Sequence, residues 1–250
     1  MKEWIYSRNA VYETLRAGRR RFYRLLITEG AQEKGRLGDI LQLAEERNVP
    51  LARRPRGELD ALHPAHQGVA LEASEYPYVN VADMVDLAAQ RQQPLLVLLL
   101  DALHDPQNFG TLLRTAEAVG VHGVVLPLAR SVTVTPAVVN ASSGASEHLL
   151  IARHNLAQAI NDLKDAGAWI VGLDESAANQ SPFSIPSREP LGLVVGSEGE
   201  GLRSLIKTKC DFLLRLPMQG RVASLNASVA GSVALYLIYL ARSESSISGG

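Results

Sequence analysis

The stretch LLVLLLDALHDPQNFGTLLRTAEAVG, residues 95–120, decides the fold of this chain. Its six consecutive apolar residues predict a strand that is buried on both faces. The residues after it predict a helix over 110–119, which Gly120 terminates. The same alternation continues along the chain, with strands predicted at 123–127, 149–152, 169–173, 191–195 and 212–216, and a last helix at 224–242. Apolar strands that alternate with helices indicate an α/β fold with a parallel sheet covered on both faces.

The residues before this region show a different pattern. Short helices are predicted at 9–17 and 35–47, and short strands at 24–28, 49–52 and 68–72. This pattern predicts a small α/β/α domain over residues 1–75. Residues 76–94 are predicted to be a linker with one amphipathic helix, bounded by Pro77 and Pro94. The second domain then covers residues 95–242, and 243–250 are predicted to be a flexible tail.

Composition limits the classes of function. The 250 residues are 46% hydrophobic and 20% charged, with a net charge of −1, so any binding of nucleic acid needs a local basic patch. The N-terminus lacks the apolar run of a signal peptide, and the run 95–100 is too short to span a bilayer. We therefore expect a cytoplasmic protein with no membrane span. The single cysteine, Cys210, and the scattered histidines predict no metal site.

Three segments carry residues suited to chemistry, and the first is DPQNFGTLLRTA, residues 105–116. It is the turn that leaves the first strand of the parallel sheet, where such sheets bind their ligands. Pro106 fixes the turn, and Gly110 allows a close approach of the backbone. Arg114 is then placed within reach of a phosphate or a ribose. A simple helix start with a solvated arginine explains the same pattern about equally well.

The second segment is LGLVVGSEGEGL, residues 191–202, in which a buried strand ends in three glycines around two carboxylates. Glycines let the backbone approach a ligand and offer it N–H groups. The spacing is wrong for a dinucleotide fingerprint, and the lysine of a P-loop is missing. An ordinary glycine-rich turn remains the alternative.

The third segment is LPMQGRVASLNAS, residues 216–228, which leads into an almost wholly apolar helix. Ser224 and Asn226 are placed at the helix start, where such residues commonly serve only as caps. A helix that is apolar on all sides is buried by its own core and by a second subunit. The small residues Ala227, Ala230 and Gly231 allow close packing of that helix.

Together, these segments resemble the three motifs of the SpoU (TrmH-like) RNA 2′-O-ribose methyltransferases. The patterns D-P-x-N-x-G-x-x-x-R-T-A, G-x-E-x-x-G-L and L-P-M-x-G-x-x-x-S-L-N-x-S occur in order across 95–242. The first 75 residues are similar to the small L30-like RNA-binding domain of many members, and 66–68 (HQG) match its usual end. Overall, the chain is most similar to bacterial 23S rRNA guanosine 2′-O-methyltransferases.

The resemblance changes the expected fold and implies a site. Connection rules alone predict an open, unknotted sheet, whereas the family has a SPOUT-type sheet with a deep trefoil knot and forms homodimers. It implies S-adenosylmethionine as the cofactor. The catalytic positions that it implies are Asn108, Arg114, Glu198, Ser224 and Asn226. The cofactor positions that it implies are Gly196, Leu216, Met218 and Leu225.

The activity that the resemblance implies is 2′-O-ribose methylation of structured RNA, with a guanosine of 23S rRNA as the expected target. A free guanidinium, with a pKa above about 12, is a poor base. Arg114 is therefore expected to bind the ribose or a phosphate before it assists proton loss. Contacts to RNA phosphates are expected from a basic cluster near the N-terminus, formed by Arg8, Asn9, Arg19, Arg20 and Arg21.

Other functions stay open at this point. A tRNA methyltransferase of the same family would share every motif. A non-catalytic RNA-binding relative would be expected to lack Arg114 or Asn226, and both are present. An NAD-dependent oxidoreductase would need G-x-G-x-x-G after the first strand, and residues 105–110 do not provide it.

Overall fold

The computed structural model describes residues 1–129, 131–175, 177, 185–197, 199, 201–221 and 224–247. The chain divides into two compact units. Unit 1 comprises Met1–Pro77 and Val134–His148, and unit 2 comprises Tyr78–Thr133 and Leu149–Gly250. In the described part of the chain, no helix has the length and the apolar character needed to cross a membrane.

The secondary structure follows the predicted alternation. The elements of unit 1 are β1 (Lys2–Tyr6), α1 (Arg8–Ala17), β2 (Phe22–Thr28), α2 (Arg36–Glu46), β3 (Leu51–Arg54), α3 (Arg56–Leu62), β4 (Val69–Ser74), α6 (Pro136–Ala141) and a 3₁₀ turn at Ala145–His148. The elements of unit 2 are α4 (Val81–Gln90), β5 (Leu96–Leu100), α5 (Pro106–Ala118), β6 (Gly123–Pro127), β7 (Ile151–His154), α7 (Leu156–Asp165), β8 (Trp169–Leu173), β9 (Leu191–Val195), α8 (Ser204–Lys209), β10 (Phe212–Leu214) and α9 (Ala227–Ile247).

Unit 1 is built on a four-stranded sheet in the order β1-β4-β2-β3. β4 is antiparallel to both of its neighbours, and β3 is parallel to β2. Sequence patterns missed β1, a short strand at the N-terminus, and α3, in which Leu59 is the buried residue. The segment 134–148 belongs to the sequence range predicted for the second domain, yet it packs in unit 1.

Unit 2 contains the six-stranded parallel sheet that the sequence predicted, in the order β10-β8-β9-β5-β6-β7. Its two central strands, β5 and β9, are buried along their whole length. From Tyr78 onward, the predicted linker is part of this unit. Val81, Met84 and Ala88 of α4 are buried in its core, and Val79 forms a bridge with Ala152 of β7.

Helix starts differ from the prediction where side chains cap them. α5 begins at Pro106, four residues early, because the Asp105 carboxylate accepts from the backbone N–H groups of Gln107 and Asn108. α9 begins at Ala227 because the side chain of Asn226 accepts from the N–H groups of Ser228 and Val229. Helix α9 continues to Ile247, into the predicted tail.

Helix α9 lies against α5 at its start, and its C-terminal part lies at the amino ends of the sheet strands. A Cβ atom on Gly231 would lie 2.9 Å from Leu112 of α5, so glycine allows this close approach. At the other end, the Arg242 guanidinium donates to four carbonyl groups, those of Pro94, Leu95, Ser187 and Glu189. These residues adjoin the amino ends of β5 and β9. Helix α9 is therefore held at its last turns as well as at its start.

Candidate active site

A cavity of about 590 Å³ lies at the carboxyl ends of β8, β9 and β10. This is the edge where parallel sheets bind ligands, and the volume falls in the usual range for small-molecule sites. The loop after β9, the segment after β10 and the start of α9 form its walls. All four predicted cofactor positions and two of the predicted catalytic residues line it: Gly196, Leu216, Met218, Leu225, Ser224 and Asn226.

The cavity combines apolar and acidic walls. Leu216, Met218 and Leu225 supply apolar surface, while Asp174 and Glu175 follow β8 directly on another wall. The Asp174 carboxylate lies 2.9 Å from the ammonium nitrogen of Lys207 in α8. Sequence reasoning missed these charged residues, although an acidic pair directly after a buried strand was a usable signal. Such a cavity suits a ligand with an apolar body and both signs of charge.

The glycine-rich loop after β9 closes the cavity on one side. Ser197 and Gly201 exchange two backbone hydrogen bonds of 3.1 Å, and Gly199 and Gly201 have φ values of 85° and 67°. A Cβ atom on Gly196 would lie 2.3 Å from the carbonyl of Gly201, so the loop folds back onto this glycine. The predicted catalytic residue Glu198 lies outside the described residues.

A hydrogen-bonded cluster joins the first and third sequence segments. The amide nitrogen of Asn226 donates to Oδ1 of Asn108 at 3.1 Å. The Ser228 hydroxyl lies 2.6 Å from Oδ1 of Asn226 and 3.1 Å from Oδ1 of Asn108, and either oxygen can accept its proton. Residues about 120 positions apart therefore form one polar group beside the cavity. Ser228 was not among the predicted site residues, although the third motif contains it.

The remaining predicted catalytic residue, Arg114, is exposed on α5. Ser224 and Asn226 line the cavity and Asn108 is bonded to Asn226, so these three lie together. Arg114 lies further along α5, the helix that also carries Asn108. Next to it, the Thr115 hydroxyl lies 2.9 Å from that of Ser232 in α9, which holds the two helices together.

Comparison with known proteins identifies this arrangement. Residues 95–236 match the model of the SpoU rRNA Methylase family. Residues 4–79 match the model named RNA 2'-O ribose methyltransferase substrate binding. The chain belongs to the SpoU rRNA methylase family. The trefoil knot that the resemblance implies stays a prediction.

Curated relatives of this SpoU chain cover nearly its whole length. YacO of Bacillus subtilis strain 168, named for the TrmH family of tRNA/rRNA methyltransferases, is 40% identical over 242 residues, which is 96% of each chain. A protein of Staphylococcus aureus strain COL with the same family name is also 40% identical over 242 residues, again 96% of each.

Solved SpoU structures share the fold. The methyltransferase AviRb of Streptomyces viridochromogenes, in complex with the cofactor AdoMet, superposes with a TM-score of 0.80 at 23% identity. The match covers 99% of this chain and 92% of that one. An AdoMet-bound rRNA methyltransferase of Sinorhizobium meliloti gives a TM-score of 0.77 at 22% identity, covering 95% and 86%. At these identities the likeness establishes the fold.

In unit 1 of this SpoU chain, four residues of the predicted RNA-binding set retain exposed surface. Asn9 and Arg21 are exposed. Arg8 is partly buried, and its Nε donates to the carbonyl of Gln67 at 3.1 Å. Arg19 is also partly buried and donates to the hydroxyl of Tyr76 at 2.7 Å, where burial raises the pKa of that phenol.

The fifth residue, Arg20, does not fit the predicted role. Its side chain is fully buried and forms a two-bonded ion pair of 2.8 Å with Glu147, which is equally buried. It also donates to Glu3 at 2.7 Å and to the carbonyl of Ser74. Burial alone would lower the pKa of Arg20, but the bonds to Glu147 and Glu3 outweigh it and raise the pKa. We therefore correct the prediction: Arg20 holds unit 1 together and is not an RNA contact.

Proposed function

We propose that this protein is an S-adenosylmethionine-dependent methyltransferase that methylates a ribose 2′-oxygen of structured RNA. The substrate we favour is a guanosine of 23S rRNA. The observation that carries the proposal is the cavity itself. Its lining unites the four predicted cofactor positions with Ser224 and Asn226, in a chain of the SpoU family.

The cavity fits the proposed cofactor in size and chemistry. S-adenosylmethionine has a flat aromatic base that packs on apolar side chains, a polar ribose, a cationic sulfonium and a zwitterionic end. Leu216, Met218 and Leu225 offer apolar walls, and Asp174 with Lys207 offers both charges. When bound, the cofactor supplies an activated methyl group. The task of the chain is therefore to align the 2′-oxygen and remove its proton, and alignment of this kind can contribute roughly 7–11 kcal/mol.

The polar cluster beside the cavity is suited to alignment. Asn108, Asn226 and Ser228 constrain one another through short hydrogen bonds, which fixes their orientation before the substrate arrives. Arg114 is proposed to bind the ribose or its phosphate with its planar guanidinium and to stabilise the charge that develops on the oxygen. Glu198 is proposed to orient Arg114 and the nucleotide.

Unit 1 is proposed to bind the RNA substrate. Arg8, Asn9, Arg19 and Arg21 combine cationic and hydrogen-bonding groups near one another in the sequence, and residues 4–79 match a substrate-binding model. Contacts to phosphates would supply affinity without sequence information. The proposed substrate implies a cytoplasmic location.

Helix α9 supports the proposal of a homodimer. Val229, Val233, Tyr236 and Leu240 follow one face of the helix at helical spacing, and each is between 41% and 52% exposed. A continuous apolar stripe of this kind marks a protein interface. A second copy that packed its own α9 here would cover the stripe, and the start of the same helix carries Ser228 of the site.

Methyl transfer to RNA tests the proposed function. Ribosomal RNA and tRNA from a gene-deletion strain would be incubated with the protein and S-adenosylmethionine, and 2′-O-methyl groups mapped by primer extension. We expect one new methylated ribose in 23S rRNA and a loss of activity in Asn108→Ala. A new methyl group in tRNA alone would identify the alternative substrate. Binding of RNA without methylation of either RNA would favour the non-catalytic alternative.

A further inference from the structure

Asp101, the residue directly after β5, has a carboxylate that is completely buried. Both of its oxygens are bonded to one residue. Oδ2 accepts from the backbone N–H of Arg203 at 2.9 Å, and Oδ1 accepts from Nε of the same arginine at 2.6 Å. Nη2 of Arg203 lies 2.5 Å from Oδ1 as well. A buried carboxylate is costly unless it is paired and hydrogen-bonded, and Arg203 satisfies both needs.

These bonds close the base of the glycine-rich loop. The loop leaves β9 at Val195, and its last residue, Leu202, directly precedes Arg203. The backbone N–H of Asp101 donates to the carbonyl of Val195 at 2.8 Å. A single residue therefore holds the loop at its entry through its backbone and at its exit through its side chain.

Several residues of the loop are glycines, which contribute no side chains. Among its described residues, Ser197 and Gly201 exchange two backbone hydrogen bonds across the turn, and Leu202 at the exit is buried in the core. Glycine-rich backbone has high conformational freedom, so the position of such a loop depends on how its ends are held. The loop forms a cavity wall through Gly196, Ser197 and Leu202, and a shift at its base would displace that wall.

We propose that Asp101 and Arg203 are positioning residues that hold the glycine-rich loop in place for S-adenosylmethionine. Neither residue was singled out by the sequence, and Asp101 acts on the cofactor only through the loop. Asp101 also lies four residues before Asp105, which caps the helix that carries Asn108. The pair thus connects the cofactor wall to the strand that leads into the catalytic turn. The inference rests on the proposed cofactor.

The test compares binding of S-adenosylmethionine to full-length variants by titration calorimetry. Arg203→Ala keeps the backbone bond but removes the guanidinium, and we expect a dissociation constant at least tenfold higher. Arg203→Lys keeps the charge without the two-pronged geometry and should give a smaller loss. Lys209→Ala is the matched control, because Lys209 lies in α8 and bonds to Asn161 outside the cavity. It should bind like the unmodified chain.

Kinetics separate positioning from general instability. We expect the KM for S-adenosylmethionine to rise with the dissociation constant in Arg203→Ala, while the affinity for RNA stays within twofold. Equal losses of cofactor and RNA affinity, or cofactor binding within twofold of the unmodified chain, would overturn the proposal. If Arg203→Ala does not fold, Asp101→Asn combined with Arg203→Met removes both charges and serves the same comparison. An unmodified chain that binds no S-adenosylmethionine would contradict the proposed function instead.

Discussion

At the scale of single residues, the candidate site contains a polar cluster, Asn108, Asn226 and Ser228, whose members are hydrogen-bonded to one another. Sequence motifs predicted Asn108 and Asn226, and the structure shows them in direct contact. The sequence motifs could not show that Ser228 completes the cluster, since a serine near a helix start commonly serves as a cap. Asn226 has two roles, because its side chain caps α9 and also bonds to Asn108.

Ser228→Ala removes the hydroxyl that lies between the two asparagine oxygens. A hydrogen bond of this kind contributes about 1 kcal/mol, so we expect kcat to fall about fivefold to tenfold. The dissociation constant for S-adenosylmethionine should change little. Ser243→Ala is the control, because its hydroxyl bonds to the Tyr239 carbonyl far along the same helix. A Ser228→Ala enzyme with unchanged kcat would remove this residue from the site.

Arg114→Lys tests the role proposed for the guanidinium. Lysine keeps the positive charge but loses the planar, two-pronged geometry. We expect kcat to fall by about 100-fold or more, with RNA affinity nearly unchanged, as measured by single-turnover methyl transfer. Near-normal turnover would show that a point charge suffices.

His122 predicts a dependence of stability on pH. Its Nδ1 accepts from the Leu96 N–H and its Nε2 faces Gln93, and burial lowers its pKa from 6.5 to about 4. The folded protein therefore holds this histidine neutral, whereas the unfolded chain binds a proton below pH 6.5. Stability should be lost as the pH falls from about 6.5 to about 4, by on the order of 3 kcal/mol.

Urea denaturation at several pH values measures this effect. His122→Asn, which can still accept from Leu96, should show a flatter decline of the unfolding free energy over the same range. His104→Asn is the control, since His104 is exposed. Equal pH slopes in all three proteins would contradict the assignment to His122.

At the scale of elements, apolar patterns predicted the parallel sheet well. β6, β8 and β9 have the predicted bounds, because continuous apolar runs between turn residues have few other solutions. Helix ends were less predictable. The start of α5 depends on the Asp105 side chain, and the short α8 has Ile206 as its buried residue. The periodicity of apolar residues predicts neither the start of α5 nor the presence of α8.

Helix α9 was predicted to be buried on every side, and within one chain it is not. Ala234, Leu235 and Ile238 are fully buried, while Tyr236 and Leu240 are 47% and 52% exposed. The sequence could not separate these faces because both are apolar. The exposed face is available to the second copy proposed above.

Leu240→Glu tests that interface. A carboxylate buried between two copies of α9 would be strongly unfavourable. In sedimentation at micromolar concentration we therefore expect Leu240→Glu to be a monomer and the unmodified chain to be a dimer. Methyl transfer should fall with dimer content. Leu62→Glu is the control, because Leu62 is a partly exposed leucine of α3 in unit 1. A dimer that persists in Leu240→Glu would place the interface elsewhere.

At the scale of the whole molecule, the chain divides after Pro77, close to the predicted boundary at residue 75, but it returns to unit 1 once more. Unit 1 takes residues 134–148 from the middle of the chain. Within this segment Thr135 caps α6, because its hydroxyl accepts from the Val138 N–H. The partner of that segment was not predictable, since the Arg20–Glu147 pair spans 127 positions.

Glu147→Ala should therefore destabilise unit 1. Removing one member of a buried ion pair leaves the other charge uncompensated, which costs about 3–5 kcal/mol. The chain contains two tryptophans, Trp4 in unit 1 and Trp169 in unit 2. Fluorescence during urea denaturation, with either tryptophan replaced by phenylalanine, reports the units separately. We expect the transition seen by Trp4 to move to lower urea.

Glu45→Ala provides the control for this measurement, because Glu45 is exposed on α2 and its loss should change stability by less than about 0.5 kcal/mol. If Glu147→Ala leaves the Trp4 transition in place, the ion pair does not stabilise unit 1.

The inclusion of residues 134–148 in unit 1 also sets an order of events during synthesis. A ribosome that has released only the first 77 residues has produced Arg20 but not Glu147. The segment that completes the first unit is translated only after β5, α5 and β6 of the second. Domains usually fold one after another as they emerge, from the N-terminus onward. Here the N-terminal unit is completed only after more than half of the chain exists. Segments of the two units therefore leave the ribosome in alternation.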